Sequence, residues 1–238
     1  MDHFYKHDGG ARGSGLIQTF ANCQIFRNLS LGEIKEISSR ATPAHYERGS
    51  FIFEIGDPAN YLYIMEKGSV KLHNMSPSGK GVTFEISKAG DTLNGSALST
   101  GTYFVSAQAL TDVTVLRIAR NEFFGFVAKY PNLAMEIIHL LSARLKTEYK
   151  RMAAIQREEV EQRVCRSLVA LASKFGTTLS MKREELADYT GTATETTIRV
   201  LGRLKRAGIV GCSAHKGEIV IADMDKLRAA IVDTDDPR

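Results

Sequence analysis

From about residue 44 to residue 120 the chain alternates short runs rich in Ile, Val, Tyr and Phe with glycine-bearing turns. The runs are FIFEIGD, YLYIMEKGSVKLHNM, SPSGKGVTFEI, KAGDTL, YFVSAQAL and DVTVLRIA. Turn signals at this interval predict an antiparallel β-barrel or sandwich. Gly56-Asp57 and Gly90-Asp91 mark tight turns, because glycine adopts positive φ without a steric penalty. The flanks read differently. Residues 1–15 are polar and Gly-rich and predict a flexible tail, whereas apolar and polar residues from about 16 to 40 recur at helical spacing. Within that stretch Ser30 is an N-cap candidate, with Glu33 three residues on.

After the strand-like region, 121–130 returns to a helical pattern and Pro131 opens a long helix. Ile138, Leu141, Leu145, Glu148, Met152, Ile155 and Glu159 step by three and four in alternation, an a/d seam with Glu148 and Glu159 as its polar exceptions. Such a seam after a compact barrel predicts pairing with a second copy of the chain. Further helices follow (QRVCRSLVALASKFG). Next come MKREELADYTGTATETTIRVLGRLKRAGIV, two β-like runs around a turn at His215-Lys216-Gly217, and a last helix from about Asp223. The expected class is α+β. The boundaries are a tail over 1–15, a β-barrel sensing domain over 16–130, a dimerisation helix over 131–160 and a winged helix-turn-helix over 161–238.

Composition narrows the picture. The chain has 238 residues, 43% of them hydrophobic, and a net charge of +4, so it is a mildly basic globular protein of about two domains. No run approaches a membrane span and the N-terminus has no apolar signal segment, which predicts a cytoplasmic protein with no membrane partner. Cys23, Cys165 and Cys212 are too few and too scattered for a disulfide framework or a zinc site. No Ser/His/Asp or Cys/His arrangement, phosphate loop or metal-ligand spacing is present, so no catalytic or metal residues are assigned.

Residues 181–210 carry the candidate chemistry. The first helix is expected over Arg183–Tyr189, with small Ala187 at the helix crossing and Gly191 in a left-handed turn. The second begins at Thr194 and buries Val200, Leu201 and Leu204; the hairpin after Ile209 is the wing. Thr194, Glu195, Ile198 and Arg199 then share one exposed face, at the end of the helix that meets base edges in the major groove of double-stranded DNA. Arginine bonds bidentately to guanine, and glutamate accepts from cytosine N4. A Glu and an Arg four residues apart are also placed to restrain each other. Lys182, Arg183, Thr192, Thr196 and Arg203 are assigned to the phosphate backbone. Between 181 and 216 seven basic residues face four acidic ones, so specific contacts must outweigh bulk charge.

These elements, in this order, resemble the cyclic-AMP receptor protein/FNR family of bacterial transcription regulators over nearly the whole chain. The carriers are GSFIFEIGDPANYLYIMEKGSVKL (49–72), AGDTLNGSAL (89–98), the long helix over 131–160 and the winged motif over 181–221. The resemblance implies a cyclic-nucleotide-binding-like jelly roll, a homodimer, a palindromic operator and RNA polymerase as a partner. The family's paired Glu and Arg fall on Glu195 and Arg199, implying a TGA-like half-site core. Thr194 and Ile198 match neither main branch, and Ile198 is assigned to a thymine methyl.

The effector cassette departs from the cyclic-AMP pattern. Asn94-Gly95-Ser96 and Val105-Ser106-Ala107 lack the ribose-holding glutamate and the phosphate-pairing arginine, and Glu148 and Tyr149 replace the hydroxyl pair on the long helix. The expected effector pocket is therefore Asn94, Gly95, Ser96, Val105, Ser106, Glu148 and Tyr149, for a small effector other than cyclic AMP. A lone Cys23 cannot hold an iron–sulfur cluster and is read as a buried thiol. Haem stays open, with His3, His7, His45, His73 and His139 as ligands by element only, for nitric oxide or carbon monoxide. The expected function is an effector-controlled homodimeric regulator, not an enzyme, with haem sensing or effector-independent regulation as alternatives. Glu148 is expected to act as a lever, because a carboxylate facing its mate must pair or bind ligand.

Overall fold

The structure, a computed structural model, describes residues 9–75, 81–93, 95–211 and 217–231. The chain divides into two compact units. The first comprises residues up to Asn74 together with Phe84–Leu145, and the second comprises Met75–Thr83 and Lys146 onward.

In the first unit, α1 (Gly9–Asn22) and a short 3-10 turn (Gln24–Phe26) precede α2 (Leu31–Ser38). Residues 1–8 of the expected tail lie outside the described residues, and 9–15, also assigned to that tail, are helical. Each glycine in this stretch costs a helix about 1 kcal/mol relative to alanine. Against that cost, Phe20 is fully buried and Leu16 and Ile17 pack on the core. Large apolar side chains contribute about 1.5–3 kcal/mol each when fully buried, enough to anchor the helix and let it extend toward the N-terminus. Ser30 and Glu33 form the expected capping box: Ser30 Oγ accepts from Glu33 N–H at 3.3 Å, and Glu33 Oε2 accepts from Ser30 N–H at 2.6 Å.

The strands are β1 (Thr42–Tyr46), β2 (Phe51–Phe53), β3 (Tyr61–Lys67), β4 (Ser69–Met75), β5 (Gly81–Lys88), β6 (Thr92–Leu93), β7 (Ser106–Ala109) and β8 (Val113–Ala119), with α3 (Ala97–Thr100) between β6 and β7. They form two four-stranded sheets ordered β1-β8-β3-β6 and β2-β7-β4-β5. Ile64 and Val115 from one sheet and Phe53, Leu72 and Ala107 from the other join a single apolar core, where Phe53 stacks on Tyr103 at 3.8 Å. The two Gly-Asp turns share one construction. Gly56 and Gly90 have φ of 90° and 88°, and Asp57 and Asp91 each accept a backbone N–H three residues back, from Glu54 and Lys88.

α4 (Arg120–Lys129) leads to α5 (Pro131–Arg157). The start of α5 is fixed by fully buried Leu133 and by Glu136, which is only 3% exposed. Arg27 Nε donates to Glu136 at 3.0 Å, Asn28 Nδ2 at 2.6 Å, and His139 Nδ1 lies 3.5 Å away. Burial alone would push this carboxyl up, but Arg27, His139 and Asn28 together hold it below the ordinary range.

The second unit contains α6 (Val160–Phe175), β9 (Thr178–Ser180), α7 (Arg183–Thr190), α8 (Thr194–Arg206), β10 (Val210–Gly211), β11 (Glu218–Ile221) and α9 (Met224–Ala229). Its sheet is ordered β10-β11-β9. Asp223 caps α9, accepting from the N–H groups of Asp225 and Lys226. Among the described residues no helix is long and apolar enough to cross a membrane.

Candidate nucleic-acid interface

The interface is built on α7, the turn after it and α8. Glu185 Oε2 accepts the Lys182 N–H at 2.7 Å, which fixes the start of α7. Leu186 and Ala187 are buried where the helices pack, and α7 runs one residue further than the expected Tyr189. Gly191, at φ 70° and ψ 43°, closes α7 in the left-handed conformation, and Ala187 O accepts from the Gly191 and Thr192 N–H groups. The chain then turns into α8.

The inner face of α8 is Thr197, Val200, Leu201 and Leu204, all buried. Thr197 is the polar member the sequence reading missed, and its hydroxyl is satisfied by Ala193 O at 3.2 Å. The opposite face presents Glu195, Ile198 and Arg199, all exposed, with Thr194 half-buried beside them. Ile198 is 52% exposed. The first two turns of α8 thus offer one acceptor carboxylate, one apolar side chain and one guanidinium to the same side.

Two details differ from expectation. Arg199 Nη2 donates to Thr196 Oγ1 at 3.2 Å instead of pairing with Glu195. The hydroxyl three residues back is the partner reached in place of the carboxylate four residues back. Arg203, assigned to DNA phosphates, reaches Glu161 Oε2 of α6 at 2.5 Å. A partner distant in sequence is invisible to helical spacing. Lys182 is exposed, and Arg183, Thr192 and Thr196 are half-buried around the turn. In the wing, Val210 pairs with Ile221 and Gly211 with Val220. Its turn residues His215 and Lys216 lie outside the described residues, as does Cys212.

Comparison with known proteins agrees with this layout. A cyclic nucleotide-binding domain model matches residues 43–130, and a Crp-like helix-turn-helix domain model matches residues 162–230. The chain belongs to the CRP/FNR family of transcription regulators. It is 27% identical over 207 residues to the transcriptional activator protein anr of Pseudomonas aeruginosa, covering 84% of this chain and 83% of that protein. It is 25% identical over 219 residues to a CRP-like cAMP-activated global transcriptional regulator of Mycobacterium tuberculosis, covering 88% of this chain and 97% of that one. Among solved structures, FixK2 from Bradyrhizobium japonicum shares the fold with a TM-score of 0.71 at 21% identity, over 80% of this chain and 96% of that chain. Like other CRP/FNR regulators the protein is a DNA-binding transcription regulator and not an enzyme.

Two further expectations concern the effector cassette and the helix seam. Gly95 lies close to Leu62, whose Cδ1 would be 3.2 Å from an added Cβ, and Ser96 precedes α3. Asn94 lies outside the described residues. Val105 is buried at 6% exposure. Ser106 Oγ is engaged by the Ile55 N–H at 3.0 Å. Cassette residues Gly95, Ser96, Val105 and Ser106 belong to the first unit; Glu148 and Tyr149 belong to the second.

Along α5, Ile138, Leu141, Leu145, Met152 and Ile155 are 40–61% exposed, and Tyr149 is 63% exposed. The apolar stripe therefore runs through Tyr149, while neighbouring Glu148 lies 3.4 Å from Arg151 Nη1. Glu159, counted as a seam position, falls beyond α5; it precedes α6, and its N–H donates to Gln162 Oε1.

The remaining ligand candidates separate by environment. His45 is bonded to Thr114 Oγ1 at 3.0 Å and His139 is tied to Glu136. His73 is buried with an unpartnered Nε2, and burial pushes its pKa down to about 4. His3 and His7 lie outside the described residues. Cys23 is buried, and burial pushes its thiol up to about 12, which makes it an inert core group.

Proposed function

We propose that the protein acts as a homodimer on a palindromic operator with TGA-like half-site cores, under control of a small effector other than cyclic AMP. The observation that carries this reading is the N-terminal end of α8, where Glu195, Ile198 and Arg199 stand exposed on one face within the first two turns. Glu195 accepts from cytosine N4, Arg199 bonds guanine O6 and N7, and Ile198 meets a thymine methyl. Thr194 touches the flanking base. Lys182, Arg183, Thr192 and Thr196 hold the phosphates, and Arg203 reaches them only by leaving Glu161.

Dimerisation follows from the uncovered stripe on α5, whose apolar residues repeat at coiled-coil spacing. Two copies joined there present half-sites about one helical turn apart. The buried valine at position 105 argues against a cyclic phosphate, because the charge would have no cation beside it. Effector binding biases the α5 seam and so re-aims the reading helices; Glu148, expected as the lever within that seam, stands beside the stripe and pairs with Arg151. RNA polymerase is the partner through which bound operator changes transcription, and the cytoplasm is the compartment.

Binding-site selection with the purified protein tests the operator. The expected result is a two-fold palindrome containing TGA; enrichment of sequences without paired half-sites would overturn the reading. A second reading, haem as the effector group, draws on His73, which is buried with an unpartnered Nε2. An absorbance spectrum after haem addition, with His73→Ala as the control, separates the two.

A further inference from the structure

The end of α7 is the corner of the helix-turn-helix, and it poses a hydrogen-bonding problem. The last carbonyls of any helix have no partner within it. Ala187 O is satisfied by the turn, and Leu186 O by the Thr190 hydroxyl at 2.7 Å. Tyr189 O is satisfied from elsewhere in the chain. Arg151, on α5, donates to it through Nη2 at 3.0 Å, and its guanidinium carbon lies 5.1 Å from the centre of the Tyr189 ring.

The same nitrogen is 3.2 Å from Thr83 O in β5, and Nη1 is 3.4 Å from Glu148. One side chain thus joins α5, the start of β5 and the end of α7. A cation at a helix C-terminus is also favoured by the helix dipole. The β5 backbone lies close against α7 as well: a Cβ placed on Gly81 would be 2.7 Å from Asp188 Oδ2. All of these residues lie in the second unit.

We infer that Arg151 is a positioning residue for DNA reading. It caps α7 from outside the motif and thereby fixes the angle at which the turn presents α8, with Glu195 and Arg199, to the groove. Arginine is suited to this because its planar fork serves several oxygens at once, whereas lysine offers a single point charge. The inference rests on base reading by α8.

The test compares wild type, Arg151→Met and Arg151→Lys in the full chain. Amide hydrogen exchange of the free protein is followed over residues 187–194. Affinity is measured for a duplex with two TGA half-sites and for one with both cores altered. Arg151→Met is expected to speed exchange at the turn and to lower the ratio of the two affinities about tenfold, with Arg151→Lys in between. A merely structural loss would weaken both duplexes in parallel and leave the ratio unchanged, and that result would overturn the inference. So would exchange and discrimination equal to wild type in Arg151→Met. If wild type itself fails to distinguish the duplexes, base reading is what fails, and the exchange at 187–194 alone then decides whether Arg151 holds the corner.

Discussion

Glu195 is an acid in a stretch whose other charges are mostly positive, and the fold gives it a place where the sign makes sense. It lies in the first turn of α8, exposed, with Arg199 turned toward Thr196 and not toward it. A carboxylate in that position is free to accept from a base. Replacing it as Glu195→Gln should relax the preference at the paired cytosine by about 1–3 kcal/mol while leaving other positions unchanged, as read by binding-site selection. His73 is a second single residue with a measurable signature. Burial holds its pKa near 4, against 6.5 for an ordinary histidine. The unfolded chain then binds more protons than the folded one between these values, so stability falls as pH drops from 6.5 toward 4. Melting temperatures across that window should lose part of their slope in His73→Leu; an unchanged slope would show that other groups set it.

At the scale of elements, caps and turns were readable because their partners are neighbours in sequence. Ser30 and Glu33 lie three residues apart and close the expected box, and Ser30→Ala should cost about 1 kcal/mol in thermal unfolding. Gly56-Asp57 and Gly90-Asp91 encode their turns in two letters, and the inner face of α8 follows from its period. What the sequence hid are bonds between distant segments. Arg203 to Glu161, Arg151 to Tyr189 O and Glu136 to Arg27 have no periodicity to betray them. The start of α1 was hidden for another reason, since local glycine content predicts a tail while burial of Phe20 overrides it. The α5 stripe was legible as a pattern, and its exposure in the single chain supplies the reason to test it. Leu145→Asp should place unpaired carboxylates in that seam and weaken self-association at least 100-fold. Analytical ultracentrifugation should show a dimer for wild type and a monomer for the variant, and operator binding should fall with it.

For the molecule as a whole, the boundary between compact units does not follow the boundary between matched family segments. The cyclic nucleotide-binding match covers 43–130 without interruption, yet Met75–Thr83 from its middle groups with the DNA-binding unit. The two modules are therefore not freely interchangeable parts. A chimera that keeps residues 1–145 of this chain and takes the remainder from a relative would bring its own Gly81 against a foreign α7 and its own Thr83 against a foreign residue 151. Carrying residues 75–83 over with the donor's C-terminal half should raise the melting temperature of such a hybrid by several degrees relative to the simple splice. If the simple splice melts as high, segment 75–83 is a passenger. Otherwise the unit inherited together is discontinuous in the gene, and recombination between regulators of this type is constrained at two places instead of one.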